Sequence, residues 1–78
     1  MVKGIYEHFK GNRYRVTGFS LLVGKIHDIE TVVVVVEYEN KEGQRYSRRL
    51  LEFEEMVEQE GVKVPRFRYL PLAKGLNA

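Results

Sequence analysis

Five consecutive valines, Val32 to Val36, constrain the fold of this chain more than any other segment. β-Branched side chains restrict rotation about their first side-chain bond and favour the extended backbone over the helix. Because the run does not alternate with polar residues, it predicts a central strand that is covered on both faces. Left at an exposed edge, such a segment would promote aggregation. We therefore expect a β-rich fold built around this strand.

Alternating segments on both sides of the valine run predict further strands. Apolar and polar residues alternate over 5–9 and again from Arg13, with a turn at Lys10-Gly11-Asn12 between them. Gly18 shifts the apolar phase of the second segment, which indicates a β-bulge or a sharp bend. The sequence further predicts a loop over 24–30, a hairpin turn over 40–43 and a return strand over 44–50.

The segment from Leu51 to Glu60 has two interpretations. Its apolar and acidic residues fit a helix of two or three turns. The alternative is a short turn and a strand that Gly61 reverses into Val62-Lys63-Val64, and the glycine favours this hairpin modestly. Residues 66–70 alternate again and predict a last strand.

These elements fit a mostly β fold. We predict a small SH3-like bent antiparallel barrel of five or six strands, with one short helix near 51–57 left open. The domain should cover residues 4–70, and residues 71–78 should form a C-terminal tail. The alternative is a curved antiparallel sheet with one helix packed on it. A chain of 78 residues has a thin core, and without cysteine it can form neither a disulfide nor a thiolate zinc site.

Composition and motifs exclude several classes of function. No apolar stretch is long enough for a membrane-spanning helix, and no signal peptide is recognisable, so the chain is expected to be cytoplasmic. Ser20 and Ser47 lie in no nucleophile motif, and no glycine-rich nucleotide-binding motif occurs. His8, His27, Asp28 and Glu30 match no strong metal signature. The sequence therefore predicts no enzyme activity, no cofactor and no metal site.

Polar and basic residues on predicted neighbouring strands form the candidate ligand-binding face. They are His8, Lys10, Asn12, Arg48, Arg66 and Arg68. Small barrels bind single-stranded nucleic acids with basic side chains on phosphates and aromatic rings on bases, and the net charge of +2 permits such a partner. The alternative is that Gly11 and Asn12 only shape a turn and that the arginines form a solvated face. Tyr14 and Phe67 would then point into the core.

The first half of the chain carries a recognisable pattern. Residues 4–18, Gly-Ile-Tyr-Glu-His-Phe-Lys-Gly-Asn-Arg-Tyr-Arg-Val-Thr-Gly, resemble the opening of the domain of unknown function 1653 family. Further matches are Glu30-Thr31, Arg48, Leu50, Phe53 and residues 64–68, so the resemblance extends from Gly4 to about Leu70. It implies a compact, barrel-like domain of a bacterial cytoplasm, and it implies no activity.

The chain departs from the family pattern at several positions. Phe19 to Lys25 looks like an insertion, which moves His27 one residue further from Glu30 than the pattern has it. Arg49 stands where the family usually has proline, and Tyr46 stands where it often has tryptophan.

Two classes of function remain open. The first is a binding module for nucleic acid or another phosphate-bearing ligand. The second is a protein-interaction or homodimerisation domain, because a second copy would cover the valine run and supplement the thin core.

Overall fold

The computed structural model describes residues 1–77, which form seven β-strands and one short helix. The elements are β1 (Gly4–His8), β2 (Arg13–Ile26), β3 (Ile29–Glu39), β4 (Arg45–Arg49), α1 (Leu50–Phe53), β5 (Met56–Gln59), β6 (Val62–Pro65) and β7 (Phe67–Tyr69). The prediction of a mostly β chain is confirmed, and the short helix that the sequence left open near 51–57 is present at Leu50–Phe53. The predicted count of five or six strands is too low, because the C-terminal third of the chain forms three short strands. Within the described residues, no helix is long and apolar enough to cross a membrane.

The strands form two antiparallel sheets. Five strands lie in the order β4-β3-β2-β1-β7, and β5 pairs with β6 in a separate sheet. β4 and β7 are the outer strands of the larger sheet, and in residues 1–77 no strand pairing joins them. The closed SH3-like barrel of the prediction is therefore not observed. Closure would require the long strands to bend around a common core, whereas β2 and β3 continue together beyond their neighbours.

The hairpin of β2 and β3 is longer than the sequence pattern predicts. The register shifts between Val16 and Gly18, which confirms the predicted β-bulge. The predicted loop over 24–30 is wrong, because pairing continues to Ile26 and Ile29. Only His27 and Asp28 turn the chain, with φ of 51° and 64°. Two successive positive φ values are typical of the type I′ turn, which matches the twist of the flanking strands.

The valine run is not a fully covered central strand. Val36 is completely buried, but Val32 is 54% exposed. The reason is that β4 pairs only with residues 35–39 of β3, so the first valines lie outside the core. The predicted cover on both faces is therefore wrong for the N-terminal half of the run.

Aromatic residues dominate the core. The buried cluster consists of Tyr6, Val16, Val36, Tyr38, Phe53 and Phe67. Phe53 is supplied by α1, and its ring meets that of Tyr6 edge to face with centroids 5.3 Å apart. One helical turn between two sheets therefore covers the middle of the apolar face.

Both interpretations of residues 51–60 hold in part. The helix is one turn long, and the β5–β6 hairpin follows it, reversing at Glu60 and Gly61 with φ of 52° and 81°. In the predicted tail, residues 71–77 contain no strand, and Arg13 Nη1 donates to the carbonyl of Asn77 at 3.1 Å. Ala78 lies outside the described residues.

Candidate functional site

His8 lies at the end of β1, opposite Phe67 of β7. Its ring packs edge to face against Phe67, with centroids 4.9 Å apart, and it also contacts the ring of Phe9. The backbone N–H of Lys10 donates to His8 Nδ1 at 3.2 Å. This hydrogen bond requires an unprotonated Nδ1, so the neutral ring carries its proton on Nε2.

Positive charges converge on His8. Burial lowers the pKa of the His8 imidazole, and the charges of Arg66, Lys10 and Arg48 lower it further. Three of the other residues that the sequence predicts as ligand-binding therefore lie within electrostatic reach of His8. We call these four residues, His8, Lys10, Arg48 and Arg66, the basic corner.

Two arginines of the basic corner are already paired with carboxylates. Arg66 Nη2 lies 3.0 Å from Glu55 Oε2, and Arg48 Nη1 lies 3.6 Å from Glu52 Oε2. Arg48 Nε also donates to the Tyr38 hydroxyl. These partners hold both guanidinium groups in place and reduce the charge that a ligand would meet. Lys10 is exposed, with its Nζ 5.8 Å from the centroid of the Phe9 ring.

The other two predicted residues are placed differently. Arg68 pairs with Glu7 in the β1–β7 register, and its Nη2 lies 2.9 Å from Glu7 Oε1. Because side chains alternate along a strand, this pair extends from the other face of the sheet than Phe67. Arg68, Glu7 and His8 nevertheless border one hollow at the end of β1. Asn12 borders a different hollow, which it shares with the turn after β3 and with the tail. The structure therefore does not assemble all six residues into one site.

The aromatic rings do not form a platform for stacking bases. Tyr14, Tyr46 and Phe67 pack into or against the core cluster, as the alternative interpretation of the sequence expected. Tyr69 is 42% exposed, but its ring lies against Tyr6.

His27 and His8 lie far apart. His27 and Asp28 form the tip of the β2–β3 hairpin, whereas His8 is close to the opposite end of β2. The 14 residues of β2 span roughly 40 Å at the rise of an extended strand. Among residues 1–77, no group of three or more histidine, cysteine, aspartate or glutamate side chains could hold a metal ion.

A second surface was missed by the sequence reasoning. β1 pairs with β2 only up to Val16, and β4 pairs with β3 only from Val35. Residues 19–26 of β2 and 29–34 of β3 therefore each lack a strand partner on one side, and from Leu21 to Val34 the chain projects from the sheet as a two-stranded ribbon. We call residues 19–26 and 29–34 the β-arm. The described molecule measures 46 × 32 × 19 Å, which reflects this elongation.

The β-arm is apolar on both faces. Seven of its large hydrophobic residues are exposed by 42% to 67%. They are Phe19, Leu21, Leu22, Val23, Ile26, Ile29 and Val32. On the face shared with the core, Lys25 and Glu30 pair near the tip. In the sequence, the signal for this surface was the large share of apolar residues on both sides of His27 and Asp28. Once these two residues form the turn, the residues before it pair one by one with the residues after it.

A groove runs beside the β-arm at the junction between β4 and α1. Its walls are the β3 residues Val32 to Val34 and the residues Arg49 to Glu52, with Glu55 at the rim, and its volume is about 560 Å³. Leu51 on α1 is 85% exposed beside it.

Comparison with protein families gives one match, which covers residues 4–69 and therefore most of the chain. The matching profile is that of the family described as "Protein of unknown function (DUF1653)". The chain belongs to this family. Comparisons with curated proteins and with solved structures gave no match.

Membership of the DUF1653 family confirms the resemblance drawn from the sequence. The segment Phe19–Lys25, which looked like an insertion against the family pattern, forms most of the β2 half of the β-arm. The family description supplies no activity, so function has to be argued from the two surfaces themselves.

Proposed function

We propose that this chain is a non-catalytic protein-interaction domain that joins a second copy of itself through the β-arm. The observation that carries the proposal is the contiguous apolar surface of the arm, which the protein's own core does not cover. Large exposed apolar patches are uncommon on monomeric proteins and mark sites of association.

The exposed apolar surface is divided between the two faces of the arm. At their observed exposures, the seven apolar residues present on the order of 800 Å² in total, so one face supplies about half of what each partner contributes to a standard protein interface. The arm also lacks the features that prevent a strand edge from pairing with another chain. It contains no proline, and Lys25 is the one charged residue between Phe19 and Ile26.

A second copy fits the surface because the edge of a strand is self-complementary. Two identical antiparallel strands related by a two-fold axis make every contact twice.

Sedimentation equilibrium tests this proposal. We expect the wild-type protein to form concentration-dependent dimers and the double variant Leu21→Lys/Val23→Lys to be monomeric. Leu72→Lys is the matched control, because Leu72 is 92% exposed and lies outside the arm. All three proteins should keep the same far-UV circular dichroism spectrum, since the arm residues contribute nothing to the buried cluster. A wild-type protein that stays monomeric at millimolar concentration would contradict the proposal.

The basic corner supports a second candidate function. The convergence of Lys10, Arg48 and Arg66 on His8 favours binding of a phosphate-bearing ligand, including nucleic acid. Recognition would rely on charge, because the nearby aromatic rings are packed inside. An amide-resolved NMR titration with short single-stranded RNA and DNA tests this function.

In that titration, we expect contiguous shifts at the basic corner that weaken but persist from low to physiological salt. Lys10→Met should reduce binding, whereas Lys41→Met, on the turn after β3, should not. Shifts that scatter over the surface and disappear with salt would exclude this candidate.

A further inference from the structure

The outer edge of β2 presents a regular series of backbone groups. Ile26 and Ile29 flank the two-residue turn and therefore form a hydrogen-bonded pair. Such pairs alternate along an antiparallel ladder, so Gly24 and Leu22 also direct their N–H and C=O groups toward β3. The position of Gly24 agrees with this, because its carbonyl also accepts a hydrogen bond from the Thr31 hydroxyl on β3.

The intervening residues direct their backbone groups away from β3. These residues are Phe19, Leu21, Val23 and Lys25, spaced symmetrically about Leu22. Beyond Val16, no strand pairs with this edge anywhere in residues 1–77. Four N–H groups and four C=O groups are therefore available for a strand from outside.

We propose that the β2 edge of one copy pairs antiparallel with the β2 edge of a second copy, with Leu22 on the two-fold axis. This inference rests on the self-association proposed above and specifies its surface. Residues whose groups point outward must oppose one another, which places Leu21 opposite Val23 of the second copy. Phe19 then lies opposite Lys25 of the second copy. This register engages all four outward residues of each strand.

The β2 edge offers more backbone groups than the β3 edge. By the same alternation, the free edge of β3 presents the outward groups of only Glu30, Val32 and Val34, because β4 pairs with β3 from Val35. Residues of α1 also line the groove beside this part of β3. In the β2 register, the two Lys25 residues sit at opposite ends of the pairing, roughly 20 Å apart at the rise of an antiparallel strand.

The resulting arrangement is a four-stranded sheet, β3-β2-β2-β3, that spans both copies. Leu21, Leu22 and Val23 each gain a cross-strand neighbour at about 4.5–5.5 Å, in place of water at the edge. The pairing also removes a long apolar edge on which further chains could add.

Single cysteines test the register directly, because the chain contains none of its own. In the proposed dimer, the two Leu22 residues form a non-hydrogen-bonded pair with Cα atoms about 4.5 Å apart, which lies within the range for a disulfide. Leu22→Cys should therefore give a cross-linked dimer on mild oxidation. Val32→Cys is the matched control, with a similar exposure but on β3. Its two copies would lie three strand spacings apart, roughly 14 Å, and should stay unlinked.

A charge at the same position provides a second measurement. Leu22→Glu places two carboxylates on the axis and should abolish the dimer in sedimentation, whereas Ile29→Glu, of equal exposure but on β3, should leave it intact. A wild-type dimer in which Val32→Cys cross-links and Leu22→Cys does not would overturn the β2 register and leave the proposed function standing. A wild-type protein that never dimerises would overturn both.

Discussion

The rings of Phe53 and Phe67 lie face to face, with centroids 4.0 Å apart and planes within 2° of each other. Phe53 comes from the single helical turn of α1, and Phe67 opens the last strand, β7. Both rings are buried, and Tyr38 of β3 meets each of them edge to face at 5.5 Å. This stack therefore ties the outer strand β7 and the strand β3 to α1, the segment between the two sheets.

Truncation of Phe53 should destabilise the domain severely. Phe53 is 1% exposed, and Phe53→Ala would leave a cavity at the centre of a thin core. Changes of this kind cost roughly 3–5 kcal/mol of unfolding free energy, a large part of the stability of a small domain. Urea denaturation followed by circular dichroism should show the lower midpoint.

Leu51→Ala is the control for this measurement, because Leu51 lies on the same helical turn but is 85% exposed. It should change the unfolding free energy by no more than about 0.5 kcal/mol. Equal effects of the two substitutions would show that α1 stabilises the domain through its backbone rather than through the aromatic stack.

Removal of the β-arm should leave the core folded. Replacing residues 21–34 with Asn-Gly joins Ser20 to Val35, which are register partners, through a tight type I′ turn. Every residue of the buried cluster is retained. We expect a cooperative unfolding transition and a dispersed NMR spectrum from a protein that is monomeric at all concentrations. Loss of cooperative unfolding would show that the arm is needed for folding.

The positive charge of Lys10 should affect the pKa of His8. Burial, followed by the charges of Arg66, Lys10 and Arg48, lowers the pKa of His8 from its ordinary value of 6.5. Lys10→Met removes one of these charges and should raise that pKa, measured from the imidazole resonances by NMR. Lys41→Met should not change it. An unchanged His8 pKa in Lys10→Met would show that Lys10 does not contribute to the shift.

The same shift determines how stability depends on pH. Because the pKa of folded His8 is lowered, the unfolded chain binds a proton at His8 under conditions in which the folded chain does not. The contribution of His8 to the unfolding free energy is therefore complete above about pH 6.5 and is lost as the pH falls through the folded pKa. Urea midpoints at a series of pH values below neutrality should show this decline, and His8→Gln should reduce it.

Arg13 should hold the tail against the sheet. Its Nη1 donates to the carbonyls of Gly75 and Asn77, at 3.5 Å and 3.1 Å. Arg13→Lys keeps the charge but loses the planar fork, so we expect faster amide hydrogen exchange in residues 75–77 and a cost of about 1 kcal/mol or less. Arg15→Lys, on the same strand and exposed, should leave exchange in the tail unchanged.

Local patterns predicted the strands well where one face of each is buried. The alternation in the first part of β2 and in β4 follows the core, and the phase shift at Gly18 revealed the bulge. In β1 the alternation is lost, because Ile5 and Tyr6 are both buried. The pattern failed at the β-arm, where both faces are apolar and both are exposed. Periodicity alone does not distinguish a strand buried on two faces from one that projects into solvent, since both show continuous apolar residues.

The candidate site was predictable only in part. Strand order decides which charges meet, and the position of β7 beside β1 brings Arg66 near His8. The carboxylate partners Glu52 and Glu55 were invisible in the sequence, because their approach depends on α1 ending after one turn. Asn12 borders a different hollow, and the guanidinium group of Arg68 is paired with Glu7.

The pairing of Tyr6 with Tyr69 has a consequence for the order in which the protein forms. The β2–β3 hairpin closes through a two-residue turn, so it can form within microseconds of its own synthesis. β7 instead reaches back to β1 across almost the whole domain, which is a slow, non-local closure. A chain emerging from the ribosome therefore exposes Tyr6, Val16 and Val36 without cover until Phe53 and Phe67 have been added.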